Sequence, residues 1–199
     1  MSKEIQIDRL AVFCGSSSGN DMAITEAALR LGQLLAEQHI ELVYGAAKIG
    51  VMGEVAKAVL DHGGRVVGVI PEFLKRKEVV HLGLSELITT ENMHQRKLIM
   101  SERSDGFVAL PGGFGTLEEL FEIITWSQLG LHQKPVGLLN INGFYDPLIA
   151  LLEGMVRKGF LKMDNFEILL VASEPNLLLQ KMRTYKPREV PKWLTQDRT

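Results

Sequence analysis

The sequence predicts a single α/β domain with a doubly wound, Rossmann-like parallel sheet and helices on both faces. Two patterns predict it. Short apolar runs of Val, Ile and Leu alternate with longer stretches in which apolar residues recur every three to four positions. Continuous apolar runs are typical of strands buried on both faces, and their alternation with helices builds parallel βαβ units. Glycine-rich turns at three expected strand ends, 15–19, 45–53 and 111–116, are typical of the ligand-binding edge of such a sheet.

Glycine and proline mark the boundaries of elements in the first half of the chain. Ala27, Leu31 and Leu35 share one face of the first expected helix. Gly63 ends the second helix, and Pro71 ends the third strand. The expected strands in this half are 10–14, 42–44, 65–70 and 87–90. The helices between and after them are expected around 27–35, 51–62 and 91–102.

The second half of the chain continues the alternation. Its first strand leads directly into Pro111 and the glycine turn after it. The expected strands are 107–110, 136–139 and 168–171. The helices are expected to run from that turn to about 128, and over 145–157 and 175–183. We expect one domain over 1–185 and a polar tail with two prolines over 186–199.

The composition excludes several classes of protein. Of 199 residues, 46% are hydrophobic and 23% are charged, which is the usage of an ordinary globular domain and not of a disordered chain. The net charge of −2 disfavours a nucleic-acid partner. No run reaches the roughly 18 consecutive apolar residues of a membrane helix. With one cysteine, Cys14, and no secretory signal, we expect a cytoplasmic protein without membrane or nucleic-acid partners.

The turn after the fifth strand is a candidate phosphate site. It contains Gly112, Gly113, Gly115 and Thr116 at the start of a helix. Glycine lets a ligand approach the backbone, and the free amides at a helix N-terminus attract anions. Thr116 adds a hydroxyl group. The alternative is a tight turn without a ligand, and the Gly-Lys-Ser/Thr ending of a P-loop is absent.

The turn after the first strand offers hydroxyl groups at the same edge of the sheet. Gly15, Ser16 and Ser17 stand where a dinucleotide-binding fold carries its G-x-G-x-x-G motif, which this turn lacks. Because the carboxyl ends of parallel strands meet at one edge, we expect the glycine turns to converge on one cleft. Serines that only form the turn or cap the next helix are the alternative.

The helix over 91–102 places two cations on an apolar face. Met93, Arg96, Lys97 and Met100 fall on one side of it. A cationic wall that faces a phosphate or a carboxylate explains this pattern, since arginine suits bidentate recognition of anions. Two long side chains that extend to water are the alternative.

The helix after the phosphate turn has two apolar sides. One side carries Leu117, Leu120, Phe121 and Ile124, and the opposite side carries Glu119, Glu122, Ile123 and Trp126. Two apolar sides indicate that one packs on the sheet and the other on a partner subunit. Glu119 then lies in a covered cleft, where burial raises the pKa of a carboxyl group. Alternatively, Thr116 and Glu119 form a capping box.

Two motifs together resemble a known family. Residues 111–119, Pro-Gly-Gly-Phe-Gly-Thr-Leu-Glu-Glu, match the pattern P-G-G-x-G-T-x-x-E, and Met-His-Gln-Arg-Lys stands upstream at 93–97. This combination resembles the LONELY GUY (LOG) family of cytokinin riboside 5′-monophosphate phosphoribohydrolases, whose members were often labelled lysine decarboxylases. The resemblance covers nearly the whole chain, from the first strand through Thr125-Trp-Ser-Gln-Leu-Gly130.

The resemblance implies an activity and a set of site residues. The activity is hydrolysis of the N-glycosidic bond of an adenine-type nucleoside 5′-monophosphate such as AMP, without a metal or an organic cofactor. The catalytic pair falls on Arg96 and Glu119. The phosphate turn falls on Gly113, Gly115 and Thr116, and the other substrate contacts fall on Glu78, Lys97 and Thr125. The family resemblance also implies a homodimer with its sites near the subunit interface.

The second glycine turn departs from the family pattern. The family typically has G-G-G-x-x-G-x-M-G there, whereas this chain has Ala46 and Ala47 in place of two glycines. Alanine at a positive φ adds strain of roughly 1 kcal/mol or more, and added Cβ atoms narrow the cleft. We therefore expect an effect on substrate preference more than on the class of reaction.

Two functions remain open at this point. In the enzymatic hypothesis, Glu119 stabilises an oxocarbenium-like state and orients or deprotonates water, while Arg96 holds the phosphate or the glutamate. The rival hypothesis is a non-catalytic carrier of a nucleotide or of molybdenum cofactor, because similar folds with similar glycine turns act as carriers. The Arg96 and Glu119 pair discriminates between them, since a carrier has no need of it.

Overall fold

A computed structural model describes residues 4–75 and 80–187, in which seven strands form one sheet. The strands are β1 (Arg9–Phe13), β2 (Glu41–Tyr44), β3 (Val66–Pro71), β4 (Glu86–Thr90), β5 (Gly106–Ala109), β6 (Val136–Leu139) and β7 (Leu169–Ala172). The α-helices are α1 (Met22–Glu37), α2 (Gly50–Asp61), α3 (Glu72–Lys75), α4 (Met93–Glu102), α5 (Phe114–Gln128), α6 (Asp146–Arg157), α7 (Met163–Phe166) and α8 (Pro175–Arg183).

The strand order is β4-β3-β2-β1-β5-β6-β7, and every neighbouring pair is parallel. This confirms the doubly wound fold. In the centre of the sheet, Leu10 of β1 lies opposite Leu42 of β2 and Gly106 of β5. The winding direction reverses between β1 and β5. In such sheets a ligand binds beyond the carboxyl ends of the strands at that reversal.

The side chains of each central strand alternate between two apolar cores, one on each face of the sheet. Leu10 and Val12 of β1 belong to the core that α1, α2 and α8 cover. Ala11 and Phe13 belong to the other core, which α4, α5 and α6 cover. Because both faces are covered, β1 is apolar at consecutive positions, and this explains the unbroken apolar runs in the sequence.

All seven strands lie within one residue of their predicted positions. The helices α3 and α7 were not predicted, because each is a single turn of four residues and shows no periodicity. Residues 188–199 of the predicted polar tail lie outside the described residues, and the domain boundary at 185 stays a prediction. Within the described ranges, each helix is too short or too polar to cross a bilayer.

Candidate active site

A cleft of about 310 Å³ lies at the carboxyl ends of β1, β2 and β5, beside the reversal of strand order. The three glycine turns converge on it, as predicted. They contribute Gly15 and Ser16, Gly45 and Met52, and Gly113, Phe114, Gly115 and Thr116. The helices α4 and α5 add Met93, Arg96, Glu118 and Glu119, and Cys14 and Leu74 complete the lining. Burial raises the pKa of the Cys14 thiol, so that this group is neutral at physiological pH.

The centre of the cleft wall is a buried ion pair between α4 and α5. Arg96 Nη1 donates a hydrogen bond of 2.6 Å to Glu119 Oε1, and each side chain is only 8% exposed. Arg96 Nε also donates to the carbonyl oxygen of Val69, a residue within β3, at 3.0 Å. Two bonds in different directions fix the guanidinium group. Because Arg96 is buried, the alternative that its side chain extends to water is wrong.

Burial and Arg96 act on Glu119 in opposite directions. Burial raises the pKa of the Glu119 carboxyl group, the Arg96 cation lowers it, and the net result is a raised pKa. The expected direction of this pKa shift is therefore confirmed. A carboxylate with a raised pKa is a better proton acceptor than an exposed one, and the fixed arginine keeps it oriented.

The capping-box alternative for Thr116 and Glu119 is wrong. α5 begins at Phe114 with Gly113 as its N-cap, and its N-terminus has no side-chain cap. Thr116 therefore lies inside the helix, buried with its hydroxyl group close to Gly112. The Glu119 carboxylate bonds with Arg96 instead of reaching back to the backbone.

The N-terminus of α5 is open toward the cleft. A Cβ atom at Gly113 or Gly115 would meet no other atom within 4 Å, so the backbone there borders open space. The first amides of a helix have no partner within the helix, and together with the helix dipole they attract anions. This geometry suits a phosphate group.

The turn after β1 is held against both other turns. Gly15 N donates to the Pro111 carbonyl oxygen at 3.2 Å, and Met52 N donates to the Gly15 carbonyl oxygen at 3.2 Å. α1 is capped by Asp21, which accepts from Ala23 N, so the helix-capping alternative for the serines is wrong. Ser17 does form part of the turn, since its hydroxyl oxygen accepts from Gly19 N at 3.4 Å.

Comparisons with known proteins identify the family. The family model described as "Possible lysine decarboxylase" matches residues 52–182. The probable cytokinin riboside 5′-monophosphate phosphoribohydrolase LOGL1 of Oryza sativa subsp. japonica is 50% identical over 177 residues, covering 89% of this chain and 79% of that protein. The cytokinin riboside 5′-monophosphate phosphoribohydrolase LOG2 of Arabidopsis thaliana is 48% identical over 180 residues, covering 90% and 84%. This chain belongs to the LOG family.

Solved structures share the fold of this LOG-family chain at lower identity. The molybdenum cofactor binding protein of Rippkaea orientalis has a TM-score of 0.66 and 24% identity, covering 88% of this chain and 95% of that one. The Moco carrier protein of Chlamydomonas reinhardtii has a TM-score of 0.63 and 22% identity, covering 88% and 99%. At these identities the likeness shows the fold alone.

Two of the three further substrate contacts implied by the LOG resemblance, Lys97 and Thr125, do not line the cleft. Lys97 bonds with Glu118 and Glu122 and is not part of the cleft lining. Thr125 is exposed on α5, where its hydroxyl group donates to the Phe121 carbonyl oxygen at 2.7 Å. Glu78 lies outside the described residues.

The two alanines in the second glycine turn of this LOG-family chain differ from each other. Ala46 has a φ of 66°, so the expected strain is confirmed there, whereas Ala47 has no positive φ. The expectation that their Cβ atoms narrow the cleft is wrong, because neither residue lines it. Both are fully buried, and Ala46 packs against Gly68 of β3. The backbone of this turn contacts the chain at His81, whose N donates to the Ala46 carbonyl oxygen at 3.0 Å.

The prediction of which residues form the two apolar sides of α5 is wrong. The buried face combines residues from both predicted sides: Thr116, Glu119, Leu120, Ile123 and Ser127. Leu117 and Ile124 are half-buried against the core and Phe121 is 37% exposed, so these three form a partly exposed apolar strip. The face of α5 that packs on the sheet lies between the two predicted sides. Helical periodicity alone does not determine how the helix is rotated about its axis relative to the sheet.

Several site residues were missed in the sequence. Val69 contributes only a backbone carbonyl group, which carries no sequence signal. Gly45 was assigned to a turn, but its role is to leave room for Arg96. Phe114, 94% exposed at the rim, stands at the variable position of the nine-residue motif. Within the described residues, no three His, Cys, Asp or Glu side chains are grouped to hold a metal ion.

Proposed function

We propose that this chain hydrolyses the N-glycosidic bond of an adenine-type nucleoside 5′-monophosphate to the free base and ribose 5-phosphate. The observation that carries the proposal is the buried Arg96–Glu119 pair, which lies in one cleft with an open helix N-terminus. Relatives at 45–50% identity are named cytokinin riboside 5′-monophosphate phosphoribohydrolases, which supports the same substrate class.

The 5′-phosphate binds at the N-terminus of α5. Its oxygens accept from the amides that follow Gly113, with Gly115 giving close access and the Thr116 hydroxyl group adding a donor. Gly15, Ser16 and Ser17 close the other side of this site, since the two turns are hydrogen-bonded to each other. Gly112 supports Thr116 from behind, where a side chain would collide with it.

Glu119 acts on the sugar. Cleavage of an N-glycosidic bond develops positive charge on the ribose ring, which a nearby carboxylate stabilises. The raised pKa of Glu119 also lets it accept the proton of the attacking water, and this balances the proton that the departing base takes up. Arg96 orients the carboxylate through the bond to Oε1 and is not itself a proton donor, because a guanidinium group keeps its proton in proteins.

The working form is a homodimer in the cytoplasm. The partly exposed apolar strip of α5, Leu117, Phe121 and Ile124, is the contact surface. Thr125 lies beside this strip, so a second subunit packed on it covers Thr125 and brings it near the interface. This three-residue strip is the observation that supports a homodimer.

Product analysis tests the reaction. Purified protein is incubated with AMP and with isopentenyladenosine monophosphate, and free base and ribose 5-phosphate are separated by chromatography. We expect release by the wild type and a decrease in kcat of about 10²- to 10⁴-fold in Glu119→Gln. Glu153→Gln on α6, whose carboxylate is exposed, is the matched control and keeps wild-type turnover. Binding of either nucleotide without cleavage supports a carrier of a nucleotide or of molybdenum cofactor instead.

A further inference from the structure

Lys97 lies between two carboxylates of α5, one residue after Arg96. Its Nζ donates to Glu118 Oε1 at 2.5 Å and to Glu122 Oε1 at 3.0 Å. The lysine side chain is only 13% exposed. Burial lowers the pKa of Lys97, but the hydrogen bonds to the two glutamates outweigh it, and the net pKa is raised. The lysine is therefore charged at neutral pH and engaged on both sides.

The two partners of Lys97 differ in their surroundings. Glu118 is 54% exposed and lines the cleft. Glu122 is 20% exposed, and its Oε2 is buried without a hydrogen-bond partner among the described residues. Phe13 and Ile123 pack around Lys97 and Glu122 and leave no room for a water molecule there. Glu122 is thus the fixed partner of Lys97 and Glu118 the solvent-facing one.

We propose that Lys97 and Glu122 are a positioning pair that fixes the relative rotation of α4 and α5 behind Arg96 and Glu119. This proposal rests on the proposed hydrolase function. Beyond the packing of both helices on the sheet, one ion pair between them sets their separation but leaves rotation about that contact free. The second bridge lies one residue further along α4 and three further along α5, and it removes this freedom. Catalytic groups tolerate little displacement, since an error of about 1 Å reduces turnover about a hundredfold.

The competing role for Lys97 is direct contact with the substrate. The two roles differ in which kinetic constant responds and in whether Glu122 matters. A lost contact to the substrate phosphate raises KM, whereas a lost positioning contact lowers kcat. A residue that acts through Glu122 has no further effect once Glu122 is removed.

A double-mutant cycle separates the two roles. We expect Lys97→Met and Glu122→Gln each to lower kcat about tenfold and to change KM less than about twofold. The double variant is expected to have no lower kcat than either single variant. A rise in KM by the same factor on Lys97→Met in both the wild-type and the Glu122→Gln background would overturn the proposal. Lys57→Met on α2, which breaks an exposed pair with Asp61, is the matched control and leaves both constants unchanged.

The free energy of unfolding of the same four proteins gives a readout that does not need activity. Removing Lys97 leaves the Glu122 carboxylate without its partner, and removing Glu122 leaves Lys97 with only the solvent-facing Glu118. We therefore expect the double variant to lose less stability than the sum of the two single losses. If the losses of unfolding free energy in the two single variants add up to the loss in the double variant, the proposal that Lys97 and Glu122 act as a pair is overturned. Absence of turnover in the wild type overturns the proposed function, so the two failures are distinguishable.

Discussion

Arg96 reaches its position because residue 45 has no side chain. A Cβ atom on Gly45 would lie 2.6 Å from Arg96 Nη2 and 3.2 Å from Met52 Sδ. The guanidinium group has no easy way to move aside, because it is bonded to Glu119 and to the Val69 carbonyl oxygen. The geometry of the ion pair therefore depends on a residue more than fifty positions away in the sequence.

Gly45→Ala tests this dependence. We expect kcat to fall about a hundredfold, because the added methyl group displaces the guanidinium group from Glu119. Steady-state kinetics measures the change. Gly154→Ala on α6 is the matched control, since its Cβ would meet only Arg157 Nη2 at 3.7 Å. If Gly45→Ala keeps the wild-type kcat, Arg96 does not need its observed position to function.

Ala46 and Ala47 allow the strain in the second turn to be measured. Both are fully buried, so substitution by glycine removes a buried methyl group from either and destabilises by about 1–2 kcal/mol. At Ala46, with φ of 66°, glycine also relieves about 1–2 kcal/mol of strain. In urea denaturation we expect Ala46→Gly to be near neutral and Ala47→Gly to lower the unfolding free energy. Equal decreases in the unfolding free energy for Ala46→Gly and Ala47→Gly would contradict backbone strain at Ala46.

At the scale of elements, His132 ties the end of α5 to the start of β6. Its Nε2 donates to the Ile123 carbonyl oxygen at 2.9 Å, and its Nδ1 accepts from Lys134 N at 3.1 Å. The ring also packs on Phe107 of β5, 5.2 Å between centroids. These bonds require the neutral imidazole with its proton on Nε2, because a protonated Nδ1 has no acceptor role. Burial lowers the pKa of His132 to about 4.

This lowered pKa predicts how stability depends on pH. The unfolded chain, with an ordinary histidine pKa of 6.5, binds the proton more tightly than the folded protein. The stability that the neutral His132 contributes is therefore fully present above pH 6.5. As pH falls from 6.5 toward 4 this contribution is lost, and the free energy of unfolding decreases by at most about 1.4 kcal/mol per pH unit. Urea unfolding at several pH values measures this slope. His132→Gln is expected to flatten it, whereas His94→Gln, at an exposed residue of α4, does not.

At the scale of the whole molecule, the partly exposed apolar strip of α5 predicts that two chains associate through it. Phe121 is 37% exposed between the half-buried Leu117 and Ile124. We expect light scattering to give twice the chain mass of 22.2 kDa for the wild type, and one chain mass for Phe121→Lys. Leu177→Lys on α8, 45% exposed on the opposite face of the sheet, is the control and keeps the wild-type mass. A dimeric Phe121→Lys would place the interface elsewhere.

Much of this architecture was predictable because it depends on local patterns. The run Leu10–Cys14 shows a strand covered on both faces, and alternation with helices shows the parallel order. The nine residues from Pro111 mark the candidate phosphate turn, because free amides and glycines are properties of a short segment. Arg96 and Glu119 were identified through the resemblance, not through spacing alone.

The sequence by itself determined the fold class, the seven strands and the residue types available at the cleft. Only the tertiary structure decided that Arg96 bonds with Glu119 and Val69, that Lys97 pairs with Glu122, and which side of α5 meets the sheet. The physical reason is the range of the interactions. Hydrophobic periodicity and turn propensity act within a few residues, whereas these contacts join residues 23 to 27 positions apart whose orientation depends on the packing of whole helices.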